Sequence, residues 1–412
     1  MIKNRNNLDE YLRNFKLDLD ENNTATVVDI LTIKRHKIKR YTNEYWTSKQ
    51  RQHSSIHEVS YRACFKPQLP RFFIDIFTNK GDVVYDPFGG RGTTAIEAAL
   101  LGRNIASNDI NPLSKVLTKP RLAIPELKQV KERLSKIQYD YSKKSSIDLT
   151  MFYHKKTLSE IVSLRDYLSD SKINKTEDYI DEWIRMVATN RLTGHSSGFF
   201  SVYTLPPNQA VSQKSQKRIN EKRNQIPEYK DTKKSIIKKS KSLLRSLTEN
   251  DVKNLNKIRD NALFTISDVR QTTEILSNSV KLLVTSPPFL DIVQYSNDNW
   301  LRCWFNNIDE QEISKKITGL KNVDDWSNFI EAAFKEFYRI IIKNGVVAFE
   351  VGDVRKGTIK LDEYVVPLGI AAGFKCEGIL VNMQEFTKTS NIWGVGKNNS
   401  GTNTNRIVVF RK

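Results

Sequence analysis

The sequence predicts an α/β fold, a doubly wound sheet with an α-rich insertion. Three observations predict it. From Tyr61 to about Leu113 the chain alternates helix, strand, tight turn, helix and strand. From about 121 to 255 helical periods dominate and strand patterns are scarce. After about 262, short apolar β-branched runs resume. A sheet that starts before the helical stretch and finishes after it reads as one domain interrupted by another element.

The elements follow in order. Residues 1–54 are polar and charged, with a weak helical period in LDEYLRNFKLDL, and read as an N-terminal arm. GDVVYD is a β-branched run ending on Asp86. TTAIEAALLG carries apolar residues at helical spacing and stops at Gly102. RNIASND is a second strand, which completes a βαβ unit. Segments 55–120 and 256–412 are therefore assigned to the α/β domain, and 121–255 to the insertion. The insertion contains LKQVKERLSKIQYDY, LSEIVSLRDYLSD and YIDEWIRMVATNRL. KLLVTSPPF, GVVAFEVGD, KCEGILVNMQEF and NRIVVFRK read as later strands, with a helix DWSNFIEAAFKEFYRIIIKNG between the first two. No repeat of fixed period occurs.

Composition excludes several classes. Three cysteines, Cys64, Cys303 and Cys376, are too few and too far apart for a disulfide scaffold, and no C-x-x-C pair suggests zinc. No apolar run is long enough to span a bilayer, and the N-terminus lacks a signal-peptide core. A cytoplasmic, prokaryotic chain is expected. The 39% hydrophobic content can build a core. The net charge of +19 and pI near 9.6 suit an anionic partner, nucleic acid first, although AAA-rich codon usage also enriches Lys, Asn and Ile. The charge is not uniform. Residues 206–245 hold twelve Lys/Arg against three Asp/Glu, which concentrates +9 of the +19 in a tenth of the chain.

Two motifs carry chemistry. The first is Asp86-Pro87-Phe88-Gly89-Gly90-Arg91-Gly92-Thr93. A carboxylate at a strand end before a Gly-rich turn into a helix is a nucleotide-cofactor loop, because glycines let the backbone approach a ligand. Asp109, followed by Ile110, closes the next strand, where an acidic side chain can accept hydrogen bonds from a ribose diol. Asp86 would repel a pyrophosphate but suits a ligand bearing an amino or sulfonium cation. An ordinary strand-to-helix turn is the alternative. The second motif is Thr285-Ser286-Pro287-Pro288-Phe289 at the end of KLLV. Two prolines remove two backbone donors, leaving the carbonyls of Ser286 and Pro287 free to accept from an exocyclic amino group. Phe289 offers a flat face for stacking a base. A Pro-Pro strand terminator is the plainer alternative.

D-P-F-x-G-x-G-T together with S-P-P-F resembles the amino-methyltransferases of DNA, which use S-adenosylmethionine (SAM). The resemblance covers roughly 55–120 and 262–412. It implies a Rossmann-like class I methyltransferase sheet, SAM as cofactor and double-stranded DNA as partner, with a cognate restriction endonuclease as a further possible partner. S-P-P-F accompanies cytosine-N4 enzymes more often than adenine-N6 ones, so N4-cytosine is preferred. It implies catalytic roles for Ser286, Pro287, Pro288 and Phe289. It also implies cofactor contacts for Phe65 and Lys66, in the motif before the Gly loop, for Asp86, Pro87, Phe88, Gly90, Gly92, Thr93, Asp109 and Ile110, and for Asp268 in Ser267-Asp268-Val269-Arg270. Two departures stand out: Gly89 where the family often has Cys, Met or Ala, and Arg91 where Ser is usual. Arg91 is expected to point outwards, towards a phosphate.

The motif order makes 121–255 the expected target-recognition region. Flipping a base out of a duplex costs on the order of a few kcal/mol, which phosphate contacts can offset. Lys214, Lys217, Arg218, Lys222, Arg223, Lys233, Lys234, Lys238 and Lys239 are the candidates, with a solvated helix face as the alternative for each. TNRLTGHSSGFFSVYTLPPNQ is either a loop near the substrate or a buried connector. Glu350 and Asp353 read as strand-end carboxylates or as groups facing the cleft. No cysteine stands in the Pro-Cys setting of a carbon-5 nucleophile, no metal is expected, and His53 and His57 read as structural or phosphate-contacting. N6-adenine methylation, RNA methylation and a non-catalytic nucleic-acid binder are the rival readings.

Overall fold

The computed structural model describes residues 7–17, 25–46, 54–62, 64–205, 210–288, 295–316, 322–354, 358–383 and 404–412. Its strands are β1 (Val27–Ile33), β2 (His36–Asn43), β3 (Val83–Asp86), β4 (Asn104–Asn108), β5 (Leu263–Thr265), β6 (Val280–Thr285), β7 (Ile341–Val351), β8 (Asp353–Val354), β9 (Ile359–Lys360), β10 (Lys375–Met383) and β11 (Thr404–Arg411). The main sheet has nine of them, in the order β1-β2-β10-β11-β7-β6-β3-β4-β5. β5, β4, β3, β6 and β7 pair in parallel. β11 runs antiparallel to both β7 and β10, and β10 runs parallel to β2.

The winding direction reverses between β3 and β6. From β3 the chain moves out to β4 and β5, then returns to β6 on the other flank and continues to β7. A crevice at the carboxyl ends of strands on either side of such a switch point is where doubly wound sheets take their ligands. Asp86 and Thr285 end these two neighbouring strands. The sheet is the Rossmann-like class I arrangement that the family resemblance implies.

Apolar runs form these strands because both faces are covered. Leu282 and Val284 pack into one core with Val84, Ile96 and Phe73. Leu283, Val347 and Phe349 pack into the other, against Trp326, Phe334 and Phe337 of the helix Val323–Ile340. The insertion contributes helices Leu127–Lys136, Lys155–Ile173, Tyr179–Arg191, Gln213–Arg223, Thr232–Leu244 and Glu249–Arg259. Their core is continuous with the first face of the sheet: Leu164, Trp183, Ile236 and Leu255 belong to the same cluster as Val84 and Ile96. The buried Trp183 indole donates to Ser240 Oγ at 3.0 Å, tying two of these helices together.

Two local details differ from the sequence expectation. Residues 1–54, read as an arm, carry β1 and β2, which extend the sheet beyond β10. The buried Asn382 of β10 fastens the segment after β2 by accepting from the Tyr45 and Trp46 amides at 2.7 and 3.1 Å. The helix expected through Gly345 stops at Ile340, and β7 begins at Ile341. The run Ile340-Ile341-Ile342 is β-branched, which favours the extended chain once tertiary packing is available.

Candidate active site

The two motifs meet at the switch point. Thr285 Oγ1 donates to Asp86 Oδ1 at 2.6 Å, and the Phe88 amide donates to the same oxygen at 3.2 Å. Asp86 and Thr285 are both buried. Burial pushes the Asp86 carboxyl up to about 6, against the opposing pull of its Thr285, Phe88 and Thr94 hydrogen bonds.

The glycines turn the chain for a stated reason. Gly90 and Gly92 have φ of +50° and +77°, a region that penalises any side chain. A Cβ on Gly92 would stand 2.3 Å from the Thr118 side chain. Gly92 precedes the helix Thr93–Leu100, so the loop delivers its amides to a helix N-terminus. The Gly90 amide donates to Asp109 Oδ2 at 2.8 Å and the Asn111 amide to Oδ1 at 2.9 Å. Two backbone donors thus fix the Asp109 carboxylate while leaving lone pairs for a ligand. Burial raises its pKa.

A single cavity gathers most of the expected cofactor residues. Phe65, Asp86, Pro87, Phe88, Gly90 and Thr93 line it, Asp109, Ile110 and Asp268 close its far side, and Ser286 and Pro288 reach it from β6. Lys66 is exposed and stands off the wall, and Gly92 turns towards Thr118 beneath the loop. Asp268 is paired with Arg270 at 2.6 Å, which holds its carboxyl below the usual range.

The sheet pairing of β6 and β7 ends at Thr285 opposite Phe349, so the carbonyls of Ser286 and Pro287 lie past the last ladder contact. The Pro288 carbonyl accepts from the Trp326 indole at 3.1 Å. Phe289 lies outside the described residues. Next to Ser286 stands the buried Glu350, which accepts from the Asn405 side-chain amide. Burial pushes Glu350 up to about 7, with the Asn405 amide and then the Ser286 hydroxyl pulling it down. The contact with Ser286 is loose: its buried hydroxyl makes no well-formed hydrogen bond among the described residues.

Arg91 corrects one expectation. It does not point outwards. Its guanidinium donates to the carbonyls of Val59 and Phe65 at 3.1 and 3.4 Å and to Thr93 Oγ1 at 3.1 Å. A planar fork of donors suits carbonyls in an irregular segment, and Arg91 uses it to strap Val59 and Phe65 onto the Gly loop. His57 is structural: its Nε2 lies 2.6 Å from Glu97 Oε1 in the core, and Arg71 holds the other Glu97 oxygen at 3.2 Å. His53 and the side chain of Asp353 lie outside the described residues.

The sequence reading passed over Tyr61, Cys64 and Phe329, which also line the cavity. Phe329 faces Phe88, with ring centroids 6.2 Å apart, yet in sequence it is one more apolar residue of an amphipathic helix. Burial pushes the Cys64 thiol up, which disfavours its thiolate.

A family of DNA methylases, N6_N4_Mtase, matches residues 3–119. The type II methyltransferase M.BsoBI of Geobacillus stearothermophilus is 24% identical over 337 residues, covering 71% of this chain and 63% of that protein. The type II methyltransferase M.MvaI of Kocuria varians is 30% identical over 128 residues, 30% of this chain and 25% of that one. Residues 3–119 thus match a family of DNA methylases, and similarity to a type II methyltransferase runs through 71% of the chain. It spans 63% of the length of the first of these relatives and 25% of the second. A solved structure of a putative DNA modification methylase of Thermus thermophilus, complexed with SAM, is 18% identical and covers 35% of this chain and 53% of that one at a TM-score of 0.23.

The cavity fits the family's cofactor. Two carboxylates, Asp86 and Asp109, stand where a cation-bearing ligand is favoured and a pyrophosphate is not. Phe88, Ile110, Val269 and Phe329 supply apolar wall for a flat purine. Among the described residues no cluster of His, Cys, Asp and Glu could hold a metal, and no helix is long and apolar enough to cross a membrane.

The basic residues of 214–239 differ in exposure and pairing. Lys214, Lys217, Arg218, Lys222, Arg223, Lys234 and Lys238 are exposed. Lys217 pairs with Asp148 at 3.7 Å and Lys234 with Asp231 at 3.6 Å. Arg223 stacks on Tyr203, and Lys233 donates to the Ile137 carbonyl at 2.6 Å. Lys239 is partly buried and paired with Glu58 at 3.5 Å.

Proposed function

We propose that this protein transfers a methyl group from SAM to the N4 amino group of a cytosine flipped out of double-stranded DNA. One observation carries the reading: the S-P-P-F strand end and the cofactor loop are joined by the Thr285–Asp86 hydrogen bond of 2.6 Å, so acceptor and donor sites share one crevice. Bound SAM supplies an electrophilic methyl on a sulfonium.

The chain's own residues do the rest. An amino group conjugated to a pyrimidine is a weak nucleophile because its lone pair is delocalised. The Ser286 and Pro287 carbonyls, past the end of the ladder, accept hydrogen bonds from its two N–H groups and favour a pyramidal nitrogen with an exposed lone pair; the methylated nitrogen then sheds one proton to water. Trp326 fixes Pro288, and so fixes the direction in which the motif leaves the sheet. Phe289 stacks the base. Asp86 and Asp109 hold the cationic and ribose parts of the cofactor. Helices of 121–255 supply target recognition, and the type II relatives support a restriction–modification setting with a cognate endonuclease.

The test is direct. Incubate the protein with methyl-labelled SAM and unmethylated duplex DNA or RNA, digest to nucleosides and identify the labelled product by mass spectrometry. N4-methylcytosine from duplex DNA is expected. N6-methyladenine would replace the base assignment while keeping the reaction, and label in RNA alone would overturn the DNA substrate.

A further inference from the structure

Residues 58–61 and Cys64 are a wall with two sides. One side faces the cofactor cavity. The other faces a second cavity of about 560 Å³, open to solvent at the seam between the sheet domain and the insertion, and lined by Glu58, Tyr61, Arg91, Arg191, Phe199 and Lys239 among others. Tyr61, Cys64 and Arg91 belong to both cavities.

The charge of this second cavity is unbalanced. Arg191 ends the helix Tyr179–Arg191 and is only 8% exposed. Its guanidinium lies 3.9 Å from the centroid of the Phe199 ring and donates to the Asn190 carbonyl and side chain at 3.1 and 2.9 Å, none of them a charge. Behind it Arg302 is buried, donating to Asn299 Oδ1 at 3.0 Å and lying 5.9 Å from the Tyr61 ring. Arg121 is fully buried and donates to the carbonyls of Leu117, Ile56 and Arg91. Among the described residues none of Arg91, Arg121, Arg191 and Arg302 has a carboxylate partner at ion-pair distance. The one carboxylate of the wall, Glu58, is already shared by Lys239 at 3.5 Å, Arg245 and the Ser242 hydroxyl at 3.1 Å. Burial lowers Arg191 to about 10, with Arg302 adding to it, and lowers Lys239 to about 8, with the Arg191 charge adding to it.

Buried cations without counter-charges cost folding free energy, and a bound anion would recover it. We propose that this cavity holds a backbone phosphate of the strand that carries the target base, with Arg191 and Lys239 as its charged contacts and Arg91 at its inner wall. The inference rests on the DNA-methyltransferase reading. A guanidinium fork matches phosphate oxygens in two places at once. The two cavities share Tyr61, Cys64 and Arg91, so a strand with its base in the first would bring its backbone to the second. The stretch TNRLTGHSSGFFSVYTLPPNQ supplies Arg191 and Phe199, so part of it becomes a wall of the substrate path.

The experiment uses the full chain and a duplex bearing the recognition sequence, read from the sites that the wild type methylates. Binding is measured across a salt series with S-adenosylhomocysteine present, for the wild type, Arg191→Gln and Lys239→Gln. Each substitution is expected to weaken duplex binding about tenfold and to lower the slope of log K against log salt by about 0.9, with SAM affinity by calorimetry unchanged. A methylphosphonate scan of the phosphates flanking the target should find one position that weakens either variant clearly less than it weakens the wild type. Unchanged slopes with fully additive methylphosphonate effects would overturn the proposal. Loss of SAM affinity instead would assign the cations to the cofactor carboxylate and also overturn it. If Arg191→Gln does not fold, Lys239→Gln and the scan decide alone. A wild type that methylates only RNA, or nothing, sinks the underlying reading rather than this inference.

Discussion

Asp86 links the cofactor to pH. Its carboxyl is raised to about 6 in the folded protein, against about 3.9 unfolded. Between these values the folded state binds more protons, so the stability of the ligand-free protein falls as pH rises from about 4 to about 6 and levels off above. Glu350, raised to about 7, acts with the same sign and carries the fall on to about pH 7. Cofactor binding runs the other way, since a cationic ligand prefers ionised Asp86. SAM affinity, followed by calorimetry, should rise by up to about tenfold per pH unit below 6 and then plateau. Asp86→Asn should bind SAM more weakly and without that dependence. A wild-type affinity flat from pH 5 to 7 would remove Asp86 from the site. At this scale the sequence was informative about type and poor about partners. The spacing of Asp86, Gly90, Gly92 and Asp109 made the strand-end turn into a helix legible, because left-handed glycines and strand-end carboxylates leave a local signature. The inward turn of Arg91 was hidden, because the carbonyls it holds, at Val59 and Phe65, become neighbours only after folding.

Among the elements, β10 is the one that joins the N-terminal strands to the catalytic sheet. Asn382 is fully buried and, besides accepting from Tyr45 and Trp46, donates to the Trp46 carbonyl at 3.1 Å. Asn382→Leu strands two amides and a carbonyl, at a cost of about 1–3 kcal/mol for each buried polar group left unsatisfied. The variant should melt several degrees lower, with hydrogen exchange in residues 27–46 rising before that in β3 and β6. Uniform exchange across the sheet would mean that β1 and β2 are held by other contacts. The strands β6, β7, β10 and β11 were legible because continuous β-branched runs mark buried strands. β1 and β2 were not, since VVDILTI and HKIKRYTN are partly exposed and their polar content masks the alternation.

For the molecule as a whole, one observation decides how it unfolds. The insertion and the first face of the sheet share a single apolar cluster that includes Val84, Ile96, Trp183 and Ile236. Scanning calorimetry should therefore show one cooperative transition for residues 121–255 and the sheet together, and a chain lacking 121–255 should aggregate because it exposes that face. Two resolved transitions would show that the insertion is an independent domain. The sequence distinguished insertion from sheet by periodicity, but periodicity says nothing about whose core a helix joins. That depends on which apolar faces meet, and the answer lies in contacts such as Trp183 with Ser240.

The adjacency of β3 and β6 has a geometric consequence. Neighbouring strands are held about 4.8 Å apart by their backbone ladder, and in the proposed reaction each strand end would carry one half. The gap between methyl donor and acceptor would then be set by a hydrogen-bonded ruler, while the loops around it would only present the molecules to be measured.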